Sequence, residues 1–461
     1  MGLGSRYSRK YEDLLLNRFI LIEFGLSFFC TFSAMFCFWI SAYTIHFGLV
    51  VYSLVCMIGF MTGLEIPLIM RINQTYESLR ENISSVMEYD YYGGLLGGAL
   101  FAFVLLPFLG LTYTPVLIGS LNLLVASLVL WHFSNHLVRP RILNIQFTAL
   151  LIISVLAFSV AKPIVLYGEQ HKYKDKIIYQ EQTRYQKIVV TQWKDNFWLF
   201  INGSTQFSTY DEERYHEPLV HPVMSLLKEH KDILLLGAGD GLAAREILKY
   251  SDVESLTLVD LDPAMTRLAR QHKMFLEINQ GSLNDTRVRV INKDAYQFMK
   301  ESPDLYDAII IDLPDPKSVS LSLLYSLGFY KMVEKHLKPF GAMVTQSTSP
   351  LYSPEAFLCI KKTMQAANFS TLPYQNSVPS MGQWGWVLGI RKKTMPANRL
   401  KQEIIAQKSS DIETRFFNQN AMISMANFGK GLFEKEDKIK PNTQFNHNIL
   451  KYYRQGSWDL Y

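Results

Sequence analysis

The sequence predicts a chain in two parts, a multi-pass α-helical membrane domain followed by an α/β doubly wound domain with a small β subdomain at its start. Three observations predict it. Apolar residues crowd into five long segments before residue 168. Beyond that point, short apolar strands alternate with helical stretches. Four of those strands end in an acid or a glycine turn. At 461 residues the chain exceeds a single ordinary core.

The five segments are 19–40, 47–70, 91–111, 115–133 and 147–167. Each approaches the roughly 20 apolar residues that cross a bilayer. One such segment could be a signal peptide, but five cannot. Gly93, Gly94, Gly97, Gly98 and Ala99 are expected to let neighbouring helices approach closely. Glu65 and Asp90 are acids in or near the spans, where a place at a helix end is the plainer reading. Arg6, Arg9, Lys10 and Arg18 predict a cytoplasmic N-terminus. Five crossings would then carry the rest of the chain to the opposite side, which conflicts with the cytosolic donor argued below.

Composition excludes several classes. Hydrophobic residues make up 49% of the chain, and 46 basic side chains against 41 acidic ones leave a net charge of only +5. No basic stripe marks a nucleic-acid partner. The four cysteines form no C-x-x-C pair, so neither a disulfide framework nor a zinc site is expected.

From residue 169 the pattern becomes globular. Residues 169–222 read as a β subdomain, with Asn202-Gly203 as a hairpin turn. Residues 223–393 read as the parallel, Rossmann-like domain. Its first strand runs into "GAGDG", where Gly237, Gly239 and Gly241 permit a tight turn against a ligand. The second strand ends at Asp260 and Asp262, a place suited to ribose hydroxyls. The third ends at Asp294, which can accept from an adenine amino group. The fourth, "AIIIDLPDP", ends in Asp312 and Asp315. Ligands in open α/β sheets bind beyond such carboxyl ends.

Asp240 lies inside the glycine turn, where it would repel a pyrophosphate. That points away from a dinucleotide and towards a nucleoside bearing a sulfonium. Ordinary S-adenosylmethionine carries its own carboxylate, which this acid-rich rim repels. A decarboxylated donor has only an ammonium tail, and by the same logic its acceptor is a cation such as a diamine. The attacking amine must first lose a proton. Asp312 is the natural base for that step and Asp315 the natural holder of the amine, with no metal required.

At this point the motifs resemble the spermidine synthase (polyamine aminopropyltransferase) family, in its membrane-anchored subgroup. "YQKIVV", "INGSTQFSTYDEERYHE", "LLLGAGDGLAAREILKY", "LVDLDP", "NKDAYQFM", "IIDLPDP", "LYSLGFY", "VTQSTSP" and "VPSMGQWGWVLG" occur in family order. The resemblance implies a class I methyltransferase-like fold and transfer of an aminopropyl group from decarboxylated S-adenosylmethionine to a diamine such as putrescine. It implies Asp312 as base and Asp315 as amine holder. Asp240 would hold the donor's propylamine, Asp260 the ribose, and Asp294 with Ala295 the adenine. Gln186 and Gln206 would touch the donor. Tyr215, His216 and Glu217 would line the site.

The resemblance also implies a polyamine partner, a bilayer anchor at the cell (inner) membrane with a cytoplasmic catalytic domain, and a homo-oligomer, as in soluble members. "SVPSMGQWGW" lacks the tyrosine that soluble members carry in this loop, so the acceptor stays open. Two other readings remain open at this stage. One is an S-adenosylmethionine-dependent small-molecule methyltransferase, and the other a polyamine transporter or sensor without turnover. Residues 394–461 read as a helical tail with no assignable chemistry.

Overall fold

The computed structural model describes residues 14–44, 46–74, 78–406 and 412–458. Arg6, Arg9 and Lys10 lie outside them. The chain separates into two compact units, 1–177 and 178–461.

The first unit is helical. Its helices are Leu15–Ser41, Phe47–Asn73, Leu79–Leu100, Leu106–His132 and Pro140–Gln170. A π-helical turn, Phe101–Leu105, joins the third to the fourth, so the third and fourth expected spans share one 54-residue helical stretch. They are separated at Gly110, whose φ of 63° and ψ of −172° break the helix. Beside it the Thr114 hydroxyl donates to the Leu105 carbonyl at 3.1 Å, nine residues back. In a straight helix nine residues advance about 13 Å, so the chain bends sharply here. Among the described residues, four helical stretches are long and apolar enough to cross a membrane, by length and composition.

Helix 15–41 packs against the helices beginning at 47, 106 and 140. The glycines at these contacts differ from those expected. A Cβ on Gly119 would lie 2.1 Å from the Thr31 hydroxyl, and one on Gly168 would lie 2.2 Å from the Phe38 carbonyl. Gly93, Gly94, Gly97 and Gly98 meet nothing within 4 Å. Glycine content alone cannot tell a packed face from an open one.

The second unit holds two sheets. The strands β1 (Lys176–Gln182), β2 (Lys187–Trp193), β3 (Asn196–Ile201) and β4 (Ser204–Ser208) form a four-stranded sheet in chain order. Asn202 and Gly203, at φ 51° and 80°, make the tight turn between β3 and β4. The seven-stranded sheet follows the order β10-β11-β9-β8-β5-β6-β7. Its strands are β5 (Asp232–Gly237), β6 (Ser255–Asp260), β7 (Val288–Asn292), β8 (Tyr306–Asp312), β9 (Leu337–Gln346), β10 (Phe369–Val378) and β11 (Gly382–Arg391). Strands β7, β6, β5, β8 and β9 run parallel, and β11 and β10 add antiparallel edges.

Ile309, Ile310 and Ile311 are fully buried because helices cover both faces of the sheet. One core joins Ile188 and Leu199 of the small sheet to Leu235, Leu258 and Trp386 of the large one, and to Leu400 and Met422 of the tail. The β subdomain, the sheet domain and the tail are therefore parts of one unit.

Candidate active site

The parallel strands end along one rim, and register sets what meets there. Gly237, ending β5, pairs with Asp312, ending β8. Gly237 has φ +83°, and a Cβ on it would strike the Asp312 carbonyl at 2.0 Å. The strand ends can lie this close only with glycine at that position.

The same turn shapes the neighbouring carboxylate. The Gly239 amide donates to Asp260 Oδ2 at 3.1 Å, and the Asp262 amide donates to Oδ1 at 2.9 Å. These bonds fix Asp260 and leave lone pairs for two hydroxyl donors. Burial, with a further push from Asp240, raises its pKa to about 6 against the pull of the amides. Asp262 works differently. It accepts the Ala264 amide at 3.0 Å, capping the next helix, and the Thr183 hydroxyl at 2.8 Å. That second bond ties the turn carrying Gln186 to the rim.

Asp240 is buried, with Oδ1 accepting the Leu242 amide at 2.8 Å. Burial raises its pKa, and His216 opposes the rise. Asp312 accepts the Tyr215 phenol at 2.5 Å. Burial pushes it up to about 6, the His216 charge and the Tyr215 bond pull it down, and Asp240 pushes it up. A carboxylate poised there can take a proton from an amine near neutral pH.

His216 lies behind these acids. Its Nδ1 lies 3.1 Å from Glu212 Oε2 and 2.9 Å from the Glu212 carbonyl. Burial opposes its protonation, but the Glu212 bond and charge prevail and raise its pKa. Glu212 also takes a paired contact from Arg245 at 2.9 and 3.0 Å, and one from Arg415. Desolvation works against its charge, yet His216, Arg245 and Arg415 hold it down to about 2. This charged layer lets several carboxylates sit on one rim.

The loop bearing Asp315 is clamped from outside. The Tyr325 phenol reaches the Leu313 and Pro314 carbonyls at 2.9 and 3.1 Å. Gln346, ending β9, donates to the Leu313 carbonyl at 2.6 Å and approaches Asp315 Oδ1 at 3.5 Å. Tyr453, in the tail, donates to Asp315 Oδ2 at 2.9 Å. Burial dominates the Asp315 pKa and raises it. The helix that follows is capped by Ser318, so Asp315 is left for the pocket.

The structure thus brings together Asp312, Asp315, Tyr215, His216, Asp240, Asp260, Gly237 and Gly239. Asp294 and Ala295 follow β7 beside Asp260, where Asp294 caps its helix through the Gln297 amide at 2.9 Å. Gln206 is half-buried and bonds its own hairpin at the Ser204 carbonyl, 3.1 Å away. Glu217 requires a correction. It does not line the site, because its carboxylate accepts the backbone amides of Arg415, Phe416 and Phe417 at 2.8, 2.8 and 2.7 Å. On the helix Glu217 lies about 200° round from Tyr215, so it points away from the face that bonds Asp312. Trp384 and Trp386 are buried, with the Trp386 ring 5.4 Å from that of Tyr215.

Sequence reasoning missed Glu212, Arg245, Tyr325, Gln346 and Tyr453. Four of these stand within motifs already noted, Glu212 in "INGSTQFSTYDEERYHE", Arg245 in "LLLGAGDGLAAREILKY", Tyr325 in "LYSLGFY" and Gln346 in "VTQSTSP". Tyr453 carries no local signal.

Known proteins match this chain in sequence and in fold. Residues 212–402 match the model of the spermine/spermidine synthase domain. The polyamine aminopropyltransferase of Oceanobacillus iheyensis is 38% identical over 475 residues, covering 100% of this chain and 89% of the relative. That of Leptospira interrogans is 37% identical over 453 residues, covering 98% and 89%. Polyamine aminopropyltransferase 2 of Aquifex aeolicus is 39% identical over 456 residues, again covering 98% and 89%. Among solved structures, a spermidine synthase in complex with the transition-state analogue AdoDATO aligns with a TM-score of 0.51. It shares 24% identity and covers 57% of this chain and 89% of its own. The spermidine synthase of Thermotoga maritima aligns with a TM-score of 0.50 at 24% identity, covering 57% and 88%. The two structures establish the fold, and the full-length identities establish the family: this chain belongs to the polyamine aminopropyltransferases, the spermidine synthase family.

Proposed function

We propose that the chain transfers an aminopropyl group from decarboxylated S-adenosylmethionine to a diamine such as putrescine, giving spermidine and methylthioadenosine. The observation that carries the reading is Asp312, held by Tyr215 at the end of β8 on the same rim as Asp240 and Asp315. Asp312 takes a proton from the acceptor ammonium, which frees the nitrogen lone pair. The nitrogen attacks the propyl carbon bound to sulfur. The C–N bond forms as the C–S bond breaks, and the C–S electron pair stays on sulfur as a neutral thioether.

Several acids serve this one displacement. Asp240 pairs with the donor's ammonium, Asp260 with the ribose hydroxyls, and Asp315 with the distal ammonium of the acceptor. The pocket disfavours a donor that retains its carboxylate. Incubating purified protein with each donor and a diamine, and identifying the nucleoside product by mass spectrometry, tests the reading. Methylthioadenosine is the expected product. S-adenosylhomocysteine alone would overturn it in favour of methyl transfer.

We further propose that the first unit anchors the enzyme in the cell membrane with the catalytic unit in the cytoplasm. Its helices expose large apolar side chains, among them Leu49, Phe103, Phe108 and Trp131. Such a surface calls for lipid. Counted as one crossing, the bent stretch Leu79–His132 leaves four crossings, which would return the chain to the side of its N-terminus. Recovery in carbonate-washed membranes, and the signal of a cytoplasm-dependent reporter fused to the C-terminus, test both points.

A further inference from the structure

Residues 439–458 return to the catalytic rim. Asn442 is fully buried. Its amide donates to the Ser322 and Tyr325 carbonyls at 2.8 and 3.2 Å, and its carbonyl accepts the Leu327 amide at 2.8 Å. These bonds fasten the segment to the turn bearing Tyr325, between the helices Val319–Leu323 and Leu327–His336, and Tyr325 itself clamps the Leu313-Pro314 loop. Ile449 and Tyr453 then enter the core that contains Ile311 and Phe357. Buried this way, the short helix Asn448–Arg454 has a fixed direction and aims Tyr453 at Asp315.

Tyr453 is braced as well. Trp458 lies against its ring with centroids 4.5 Å apart, and the indole N–H donates to the Tyr453 carbonyl at 2.8 Å. The next wall is Tyr352, whose ring lies 5.9 Å from that of Trp458 and whose carbonyl accepts the Ser457 amide at 2.8 Å. The Tyr352 hydroxyl abuts Gly382, where a Cβ would lie 2.7 Å away. Gly382 opens β11, directly after the short loop that lacks a tyrosine. The tail, Tyr352 and this loop therefore form one continuous wall beside Asp315.

We propose that Tyr453 is a positioning residue for the acceptor amine and that the C-terminal segment sets acceptor selectivity. The inference rests on the aminopropyl-transfer reading. Asp315 needs one oxygen turned to the distal ammonium of an α,ω-diamine. The Tyr453 bond, the better of its bonds at 2.9 Å against 3.5 Å from Gln346, fixes that orientation. The bulk of Tyr453 and Trp458 closes the far end of the acceptor pocket and limits the length of amine it admits.

The test compares wild type with Tyr453→Phe and Tyr453→Ala in the full-length protein. Putrescine is titrated calorimetrically into protein saturated with methylthioadenosine, and initial rates are measured with 1,3-diaminopropane, putrescine and cadaverine. Tyr453→Phe keeps the packing and should weaken putrescine about tenfold, the loss of one hydrogen bond to a charged group. Its KM for the donor should stay unchanged, and its melting temperature should fall by only a few degrees, about the cost of one buried hydrogen bond. Tyr453→Ala should in addition narrow the preference between putrescine and cadaverine. The proposal is overturned if putrescine affinity in Tyr453→Phe stays within twofold of wild type, or if donor and acceptor constants rise together. A wild type that neither binds nor converts any diamine would instead overturn the aminopropyl-transfer reading, and this inference with it.

Discussion

Tyr215 and Asp312 lie 97 residues apart in sequence and share a 2.5 Å hydrogen bond from phenol to carboxylate. The bond favours the ionised acid, whereas burial and Asp240 favour the neutral one, and Asp312 ends near 6. A base must be ionised to accept a proton, so kcat at saturating substrates should fall as pH drops through about 6. Tyr215→Phe removes a contact that lowers this pKa. The acid limb should then move to higher pH, by about one unit if the bond is an ordinary one to a charged acceptor. A limb that stays put or moves down would contradict the assignment of Asp312 as the base.

Asp312→Asn removes the proton acceptor and should lower kcat by about 10³-fold, within the usual range for a general base, with the donor KM retained. Stability should move the other way. The folded pKa of Asp312 lies above its ordinary 3.8, so the group stabilises the fold in acid. That contribution is lost as pH rises from about 4 through about 6. The melting temperature of the variant relative to wild type should therefore be higher at pH 8 than at pH 4.5, as read by scanning calorimetry.

Gly239→Ala should act on the donor. Its Cβ would lie 2.5 Å from Asp260 Oδ2 and must displace that carboxylate. The donor KM should rise by about tenfold or more, as expected for losing a hydrogen bond to a charged acceptor, and the acceptor KM should change little. Steady-state kinetics with each substrate varied in turn would show it.

Glu217→Gln separates fold from chemistry. The carboxylate collects three backbone amides from the segment 415–417. Loss of its charge should cost about 3 kcal/mol of stability, a large effect for a single substitution. The kcat of the folded enzyme should be unchanged. Thermal denaturation beside kinetics at 25 °C checks both, and a large drop in kcat without loss of stability would return Glu217 to the site.

Much of the rim was legible in the sequence because its signals are local. A buried parallel strand is an apolar run, and the residue ending it meets the ligand side of the sheet. Asp312, Asp260 and the "GAGDG" turn could be placed from that rule. Ala238 was not foreseen as a strained position. It holds φ +58° between Gly237 and Gly239, where the left-handed region costs a non-glycine residue about 1 kcal/mol. The helix carrying Tyr215, His216 and Glu217 was also only partly readable. Its motif is local, but which side chain faces the acids depends on how the helix rolls against the sheet.

By itself the sequence determined the two-part composition, the strand ends that bear acids, the glycine turn and the kind of cation those acids attract. These follow from residue type and spacing along a few consecutive positions. Only the tertiary structure decided that Gly119 and Gly168 make the close helix contacts, that Glu217 holds the tail, and that Tyr453 reaches Asp315 across 138 residues. Such contacts arise when separate elements bury their apolar faces together. A side chain's partner across that distance is set by packing, which leaves no mark on its immediate neighbours in the chain.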